Sequence, residues 1–358
     1  MARKKKVEIT KGNKQARERL KKIAEAVYEQ IAKDDIPHLE VSSRTKGNIR
    51  LSEEHKVWKY GDDVVKRTAK DLGGATNILR TLYTTDFINE MIGIGKSSTL
   101  REMYYISEGW ERAKFPTQNE SLREDFKLRP EEDGARVMGN ITIQEKNRKG
   151  ELKKINCKDD VGDSGYGIPY NVEKEKINFK NIDADFIIAI ETGGMFDRLV
   201  ENGFDESHRG ILVHLKGQPA RSTRRFIKRL QKHSNLPVVI FTDGDPWSYR
   251  IFASVAYGAI KTAHISEYLA TPEAQYLGVT PSDIVNYDLP HDKLTESDVN
   301  ALKSELSDPR FSNDHWKSEI KLQLKLKKKS EQQALAKYGL DFVTDTYLPE
   351  KLAEMNVL

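Results

Sequence analysis

Three short runs dense in aliphatic and aromatic residues, "ADFIIAIE" from 184, "GILVHL" from 210 and "LPVVIFTDGD" from 236, are each followed by a helical pattern. None of the three alternates apolar with polar positions, so both faces of each strand must be covered. A parallel sheet with helices on either side meets that demand. The runs are also far below the roughly 18–20 apolar residues that cross a bilayer. The N-terminus "MARKKKVEITKGNKQ" is basic without an apolar stretch behind it, unlike a secretory signal. The one cysteine, Cys157, allows neither an internal disulfide nor a Cys-rich zinc site, and the eight histidines lack HExxH spacing. A reducing, cytoplasmic location is expected.

Chemistry is expected where the strands end, because ligands of open parallel sheets bind at the carboxyl ends of strands. Glu191 closes the first run; Asp243 and Asp245 close the third. Three converging acids repel one another unless they hold a cation, and Mg²⁺ takes hard oxygen ligands. Asp245 has a second use, since Asp-Pro suits the N-cap and first turn of a helix.

The helical stretch at 221–233, "RSTRRFIKRLQKH", carries six Lys/Arg and no acid. Arg221, Arg224, Arg225, Lys228, Arg229 and Lys232 share one helical face, and Thr223, Phe226, Ile227 and Leu230 make the neighbouring core stripe. A solvent-facing cationic ridge suited to a phosphodiester backbone is therefore expected. Residues 1–22 concentrate ten Lys/Arg against two Glu, and "KLQLKLKKKS" (321–330) is a third basic run, within a chain of net charge only +4.

Upstream, 7–33 reads as an amphipathic helix, followed by a polar connector. "VVKRTAKDL", "ATNILRTLYTTDFINEMI" and "TLREMYYISEGWERA" read as helices, and 134–157 as a hairpin turning at Lys149-Gly150, a winged-helix pattern. "GIGKSST" imitates a phosphate loop, but the position of its first glycine is Glu90 and a helical pattern precedes it. A helix–turn–helix link is expected instead, with Ser98 or Thr99 capping the next helix and Glu102 completing a capping box.

With these parts in place, strand–Glu191 and the Asp243-x-Asp245 pair resemble a Toprim fold, and "STLREMYYISE" resembles the nucleophilic helix of a CAP-like winged-helix domain. "KGQPARSTRRFIKRL", "FTDGDPWSYRIF", "LGVTPSDIVNYDLP" and "EQQALAKYGLDFVTDTYLPEKL" are similar to the A subunits of the topoisomerase VI family, kin to the meiotic double-strand-break transesterase. The resemblance runs from about residue 65 to the C-terminus.

It implies an α/β multidomain chain: a basic docking arm (1–66), a CAP-like winged-helix domain (67–158), and a Rossmann-like Toprim domain with a parallel sheet and helical extension (159–358). It implies that Tyr105 forms a 5′-phosphotyrosyl ester with double-stranded DNA and that Arg101, one helical turn earlier, holds the scissile phosphate. Glu191, Asp243 and Asp245 would bind Mg²⁺; Lys216, Arg221, Arg224, Arg225 and Lys228 would contact DNA. The chain would act as a homodimer, with ATP bound by a separate GHKL-type B subunit in an A2B2 heterotetramer and no membrane partner. The alternatives are a meiotic-type cutter without strand passage and a non-catalytic winged-helix DNA-binding protein. Thr192 stands where such proteins usually carry lysine, and "TQNESLREDF" is shorter than usual.

Overall fold

The structure, a computed structural model, describes residues 10–115, 128–129, 135–147 and 149–358, without the side chains of residues 100, 101, 128 and 129. The chain divides into two compact units, residues 1–48 with 60–133 and residues 49–59 with 134–358.

In the first unit, α1 (Lys11–Ala32) opens on a capping box between Thr10 and Asn13. Ala16 and Leu20, on its buried stripe, join Ile88, Met91, Ile92, Met103 and Phe115 in one apolar cluster. Strand β1 (His38–Ser42) pairs antiparallel with β2 (Val64–Thr68). The second of these was expected to begin a helix. Its β-branched Val64, Val65 and Thr68 suit a strand, and the helix waits for a capping residue at Asp71, whose side chain accepts the Gly74 N–H at 2.7 Å. From there α2 (Leu72–Ile94) runs unbroken to Gly95, which has φ 72°. Helix α3 (Leu100–Ser107) follows.

The second unit is built on a six-stranded sheet. Its strands are β3 (Arg136–Met138), β6 (Tyr166–Gly167), β8 (Phe186–Ile190), β9 (Gly210–His214), β10 (Val238–Phe241) and β11 (Gln275–Gly278); β4 (Ile141–Lys146), β5 (Leu152–Asn156) and β7 (Ile177–Ile182) form a separate antiparallel sheet. The large sheet runs β6-β3-β9-β8-β10-β11. The four strands from β9 to β11 are parallel, and β3 and β6 are antiparallel additions at one edge. Every residue of β8, β9 and β10 is buried, as continuous apolar runs require.

Alternate residues of β8 serve opposite faces. Ile187 and Ala189 pack with Phe226 and Phe252. Phe186, Ile188 and Ile190 pack with Phe196, Leu199 and Tyr347. Thus α4 (Gly193–Glu201) covers one face, while α5 (Arg221–Ser234) and α6 (Pro246–Ala256) cover the other. The hairpin expected as a wing forms as β4 and β5, with the Gly150 N–H closing its turn on Asn147 O at 3.0 Å. Its third partner is β7, so it belongs to the sheet-bearing unit. Residues 49–59 join that unit too: the Trp58 N–H donates to Tyr257 O at 3.1 Å, and Lys59 pairs with Glu267 at 2.9 Å.

Candidate active site

Helix α3 begins on a reciprocal cap, with the Thr99 N–H donating to Glu102 Oε2 at 2.6 Å and the Glu102 N–H to Thr99 Oγ1 at 3.1 Å. Gly95 and Lys96 donate their N–H groups back to Ile92 O and Met91 O. The glycine-lysine-serine run is therefore a helix C-cap and link, with no cradle for a phosphate. Ser107 terminates α3, its hydroxyl donating to Tyr104 O at 2.6 Å and accepting the Phe115 N–H at 3.1 Å.

Adjacent positions on a helix diverge by about 100°. Tyr104 accordingly packs against the apolar cluster of the first unit, whereas Tyr105 is 56% exposed. The two rings meet edge to face at 5.6 Å. Arg101 lies in the first turn of α3, and its side chain is outside the described residues.

In the second unit, register brings the acids together. Ile190 and Phe241 are paired ends of neighbouring parallel strands, so Glu191 and Asp243 emerge side by side. The Asp243 N–H donates to Glu191 Oε2 at 3.1 Å. Asp245 caps α6, its Oδ1 accepting the N–H groups of Trp247 and Ser248 at 2.8 Å each.

The glycine between the aspartates is required by close approach. A Cβ on Gly244 would lie 3.1 Å from Val279 O and 3.2 Å from Ser330 O. Its N–H donates to Ser330 O at 2.7 Å, and its carbonyl accepts from the buried Gln323 Nε2 at 2.8 Å.

The acids feel one another. Burial pushes the Asp243 carboxyl up to about 7; the Gln332 N–H opposes the rise, and the charges of Glu191, Asp245 and Glu331 add to it. Burial also raises Glu191, against hydrogen bonds from Ser248 and the Asp243 backbone and with the Asp245 charge adding. Oδ2 of both Asp243 and Asp245 accepts no hydrogen bond among the described residues. Among those residues, no group of three or more His, Cys, Asp or Glu stands in an arrangement that could itself hold a metal ion. The donor chemistry still fits a hard divalent cation that takes only part of its shell from protein, the habit of Mg²⁺.

Gln332, which no motif singles out, ties the two acid loops. Its N–H donates to Asp243 Oδ1 at 2.8 Å, its Nε2 to Phe241 O at 3.1 Å, and its Oε1 accepts the Thr192 hydroxyl at 3.1 Å. It is fully buried. The only signal in the sequence is an uninterrupted Glu-Gln-Gln ahead of an apolar pattern. Thr192, where the resemblance leads one to expect lysine, is the N-cap of α4 and accepts the Met195 N–H at 3.4 Å.

The cationic ridge on α5 is corrected. Arg224 and Lys228 are 6% and 7% exposed, and Arg225 forks onto Glu173 at 2.8 and 3.0 Å with its guanidinium 3.7 Å above the Tyr268 ring. Arg229 donates to Ile177 O from both terminal nitrogens at 3.2 Å. The helix lies between the main sheet and the small one, so its second face meets β7 and the preceding loop instead of water. Burial pushes the Glu173 carboxyl up, but Arg225 and Tyr268 outweigh it and hold it below the usual range.

Arg221 is half-buried at the helix start, and Lys216 is exposed. Lys216 has φ 62°, an unusual backbone for a non-glycine residue, fixed by the flanking N–H groups of Leu215 on Ile190 O (2.7 Å) and Gly217 on Glu191 O (3.0 Å). The loop carrying Lys216 is thus bonded directly to the backbone of Glu191.

Residues 186–352 match the family described as the Toprim domain shared by Spo11 and the topoisomerase 6 A subunit. Residues 131–183 match the all-beta domain of the DNA topoisomerase VI alpha subunit, and 76–123 match the type IIB DNA topoisomerase family. The chain is similar to the A subunit of type 2 DNA topoisomerase 6 from Archaeoglobus fulgidus, 58% identical over 94% of this chain and 96% of that one. It is 57% identical to its counterpart of the same description from Methanosarcina mazei, over 97% of each. With that of Halobacterium salinarum it shares 54% identity over 98% of this chain and 99% of the other.

Proposed function

The chain belongs to the topoisomerase VI A-subunit family, the strand-cleaving and resealing subunits of type IIB DNA topoisomerases, and from that premise we propose that Tyr105 is its nucleophile and Glu191, Asp243 and Asp245 its Mg²⁺ ligands. The observation that carries this reading is the sorting of the two tyrosines: one is spent on packing and its neighbour is presented on the surface.

Phenols ionise near pH ~10, so attack on phosphorus needs help. Tyr105 attacks the phosphorus of the scissile phosphodiester, the 3′-oxygen leaves, and a 5′-phosphotyrosyl ester remains. The free 3′-hydroxyl reverses the exchange, so resealing needs no external energy for the chemistry. When bound, Mg²⁺ would offset charge on the phosphate oxygens and the leaving 3′-oxygen. Arg101 lies one turn before Tyr105 and holds the phosphate through a paired guanidinium fork. Asp243 and Glu191 shed any proton as the cation binds. Lys216 and Arg221 contact the DNA backbone; Arg224, Arg225 and Lys228 support the helix that carries Arg221.

Duplex DNA is the substrate, and two copies of this chain each supply a tyrosine to the other's metal site. A GHKL-type B subunit binds the ATP that drives strand passage, with the basic N-terminal region as its docking arm. The site of action is the cytoplasm, on the nucleoid.

The test is plasmid relaxation with the B subunit, Mg²⁺ and ATP, together with denaturant trapping of covalent DNA. Tyr105→Phe should abolish both and Tyr104→Phe should spare them; DNA trapped on Tyr104 would overturn the assignment.

A further inference from the structure

The end of β9 beside α4 holds a polar group that none of these roles uses. His214 is 8% exposed, and neither ring nitrogen makes a hydrogen bond within the described residues. The ring's Nε2 edge faces the first turn of α4: a Cβ on Gly193 would sit 3.5 Å from His214 Cε1, 3.6 Å from Nε2 and 3.8 Å from Arg136 Nη2. Two glycines, Gly193 and Gly194, begin this nine-residue helix, so the turn carries no side chain of its own there; His214 and Arg136 flank Gly193, and Gln333 Nε2 lies 3.7 Å from where a Gly194 Cβ would stand. Thr192 caps Met195, which leaves the N–H groups of both glycines without a protein acceptor among the described residues. Arg136 is held over this corner by Asp197 at 2.9 Å and by the Phe196 ring at 4.8 Å.

We propose that the Gly193 and Gly194 N–H groups, His214 Nε2–H and the Arg136 guanidinium form a subsite for one non-bridging oxygen of a DNA backbone phosphate, two residues beyond Glu191. With its proton on Nε2, His214 joins the two N–H groups and the guanidinium as a donor, and a helix N-terminus favours an anion. Asp197 takes part of the Arg136 charge, and Lys216 on the neighbouring loop adds to the field. Burial, then the charge of Arg136, push the His214 ring down to about 4, so it donates as a neutral imidazole. The glycines are required because the oxygen occupies the space a side chain would take. This subsite rests on the DNA-cleaving function and adds a grip on a phosphate to it.

The experiment uses the full chain, fluorescently labelled duplexes in which one phosphate at a time is a neutral methylphosphonate, and equilibrium anisotropy. One methylphosphonate position should weaken wild-type binding about tenfold, as expected for losing a hydrogen bond to a charged group. In His214→Phe and Gly193→Ala, binding to unmodified duplex should fall by a similar factor, and that position should cease to matter. The salt slope should be unchanged in both, because a neutral donor releases no counterion. Gly193→Ala guards against misfolding, since the added methyl meets His214 at ordinary contact distance. Inorganic phosphate should compete with duplex for the wild type more effectively than for Gly193→Ala.

Both variants binding unmodified duplex as tightly as wild type, or keeping the full methylphosphonate penalty at every position, overturns the subsite. The function itself is read separately: a wild-type chain that forms no covalent DNA complex with its B subunit and Mg²⁺ sinks that reading, whatever the binding data show.

Discussion

The two regions proposed to react are built on opposite physical terms. Tyr105 stands on an eight-residue helix and is more exposed than buried. Glu191 and Asp243 leave strands with no solvent contact, and burial and mutual charge raise both carboxyls. A nucleophile that must reach a substrate gains from exposure, and it gives the fold almost nothing. A cluster of acids gains from burial, because desolvation makes it a stronger trap for a cation, and it strains the fold until the cation arrives. Function should therefore be separable from stability at Tyr105 and entangled with it at Asp243.

The sharpest break of that contrast is Tyr105→Phe. Covalent DNA should vanish while stability stays within about 0.5 kcal/mol, as for an exposed side chain. A large loss of stability would show that the ring is structural.

Next comes Asp243→Asn, which should reduce cleavage about a hundredfold or more yet raise Tm in EDTA by removing a buried charge and its repulsion with the neighbouring acids. The sign follows from linkage. A carboxyl raised in the fold from 3.8 to about 7 contributes stability that is full below pH 3.8 and lost as pH rises through 7. The metal-free wild type should therefore fall in Tm relative to Asp243→Asn between pH 5 and pH 8 in thermal scans, and Mg²⁺ should close the gap. No difference across that window would mean that neither burial nor the neighbouring acids disfavour the ionised Asp243 carboxyl.

A smaller effect separates the buried from the exposed cations. Arg225→Ala should destabilise the fold by about 2–3 kcal/mol, because Glu173 is left half-buried without the guanidinium that forks onto it, held by the Tyr268 hydroxyl alone. Its salt dependence of DNA binding should not change. Lys216→Ala should leave Tm alone and lower the salt slope by about 0.9, one phosphate contact. The reverse pattern would restore the ridge.

The sheet and its acids were legible because a buried parallel strand needs an unbroken apolar run, and a loop acid after such a run has few structural duties. That Tyr104 packs while Tyr105 faces out was legible from helical phase. What sequence could not disclose was the second layer over α5. Helical periodicity finds the apolar face but cannot say whether the charged face meets water or a Glu173 from 52 residues upstream. Val64–Thr68 was misread for a related reason: five residues cannot show their own period, and β1 decides the matter from across the unit. His214 and Gln332 lie within patterned stretches that did not mark them individually, since their significance lies in what they do or do not bond.

Gln332 has a consequence in time. A nascent chain that has just exposed Asp245 to the cell already holds both acid loops, but the residue that clasps them together is 87 positions further along. Synthesis thus reaches the clasp well after both acid loops, so the proposed cation site is tied together only late in translation.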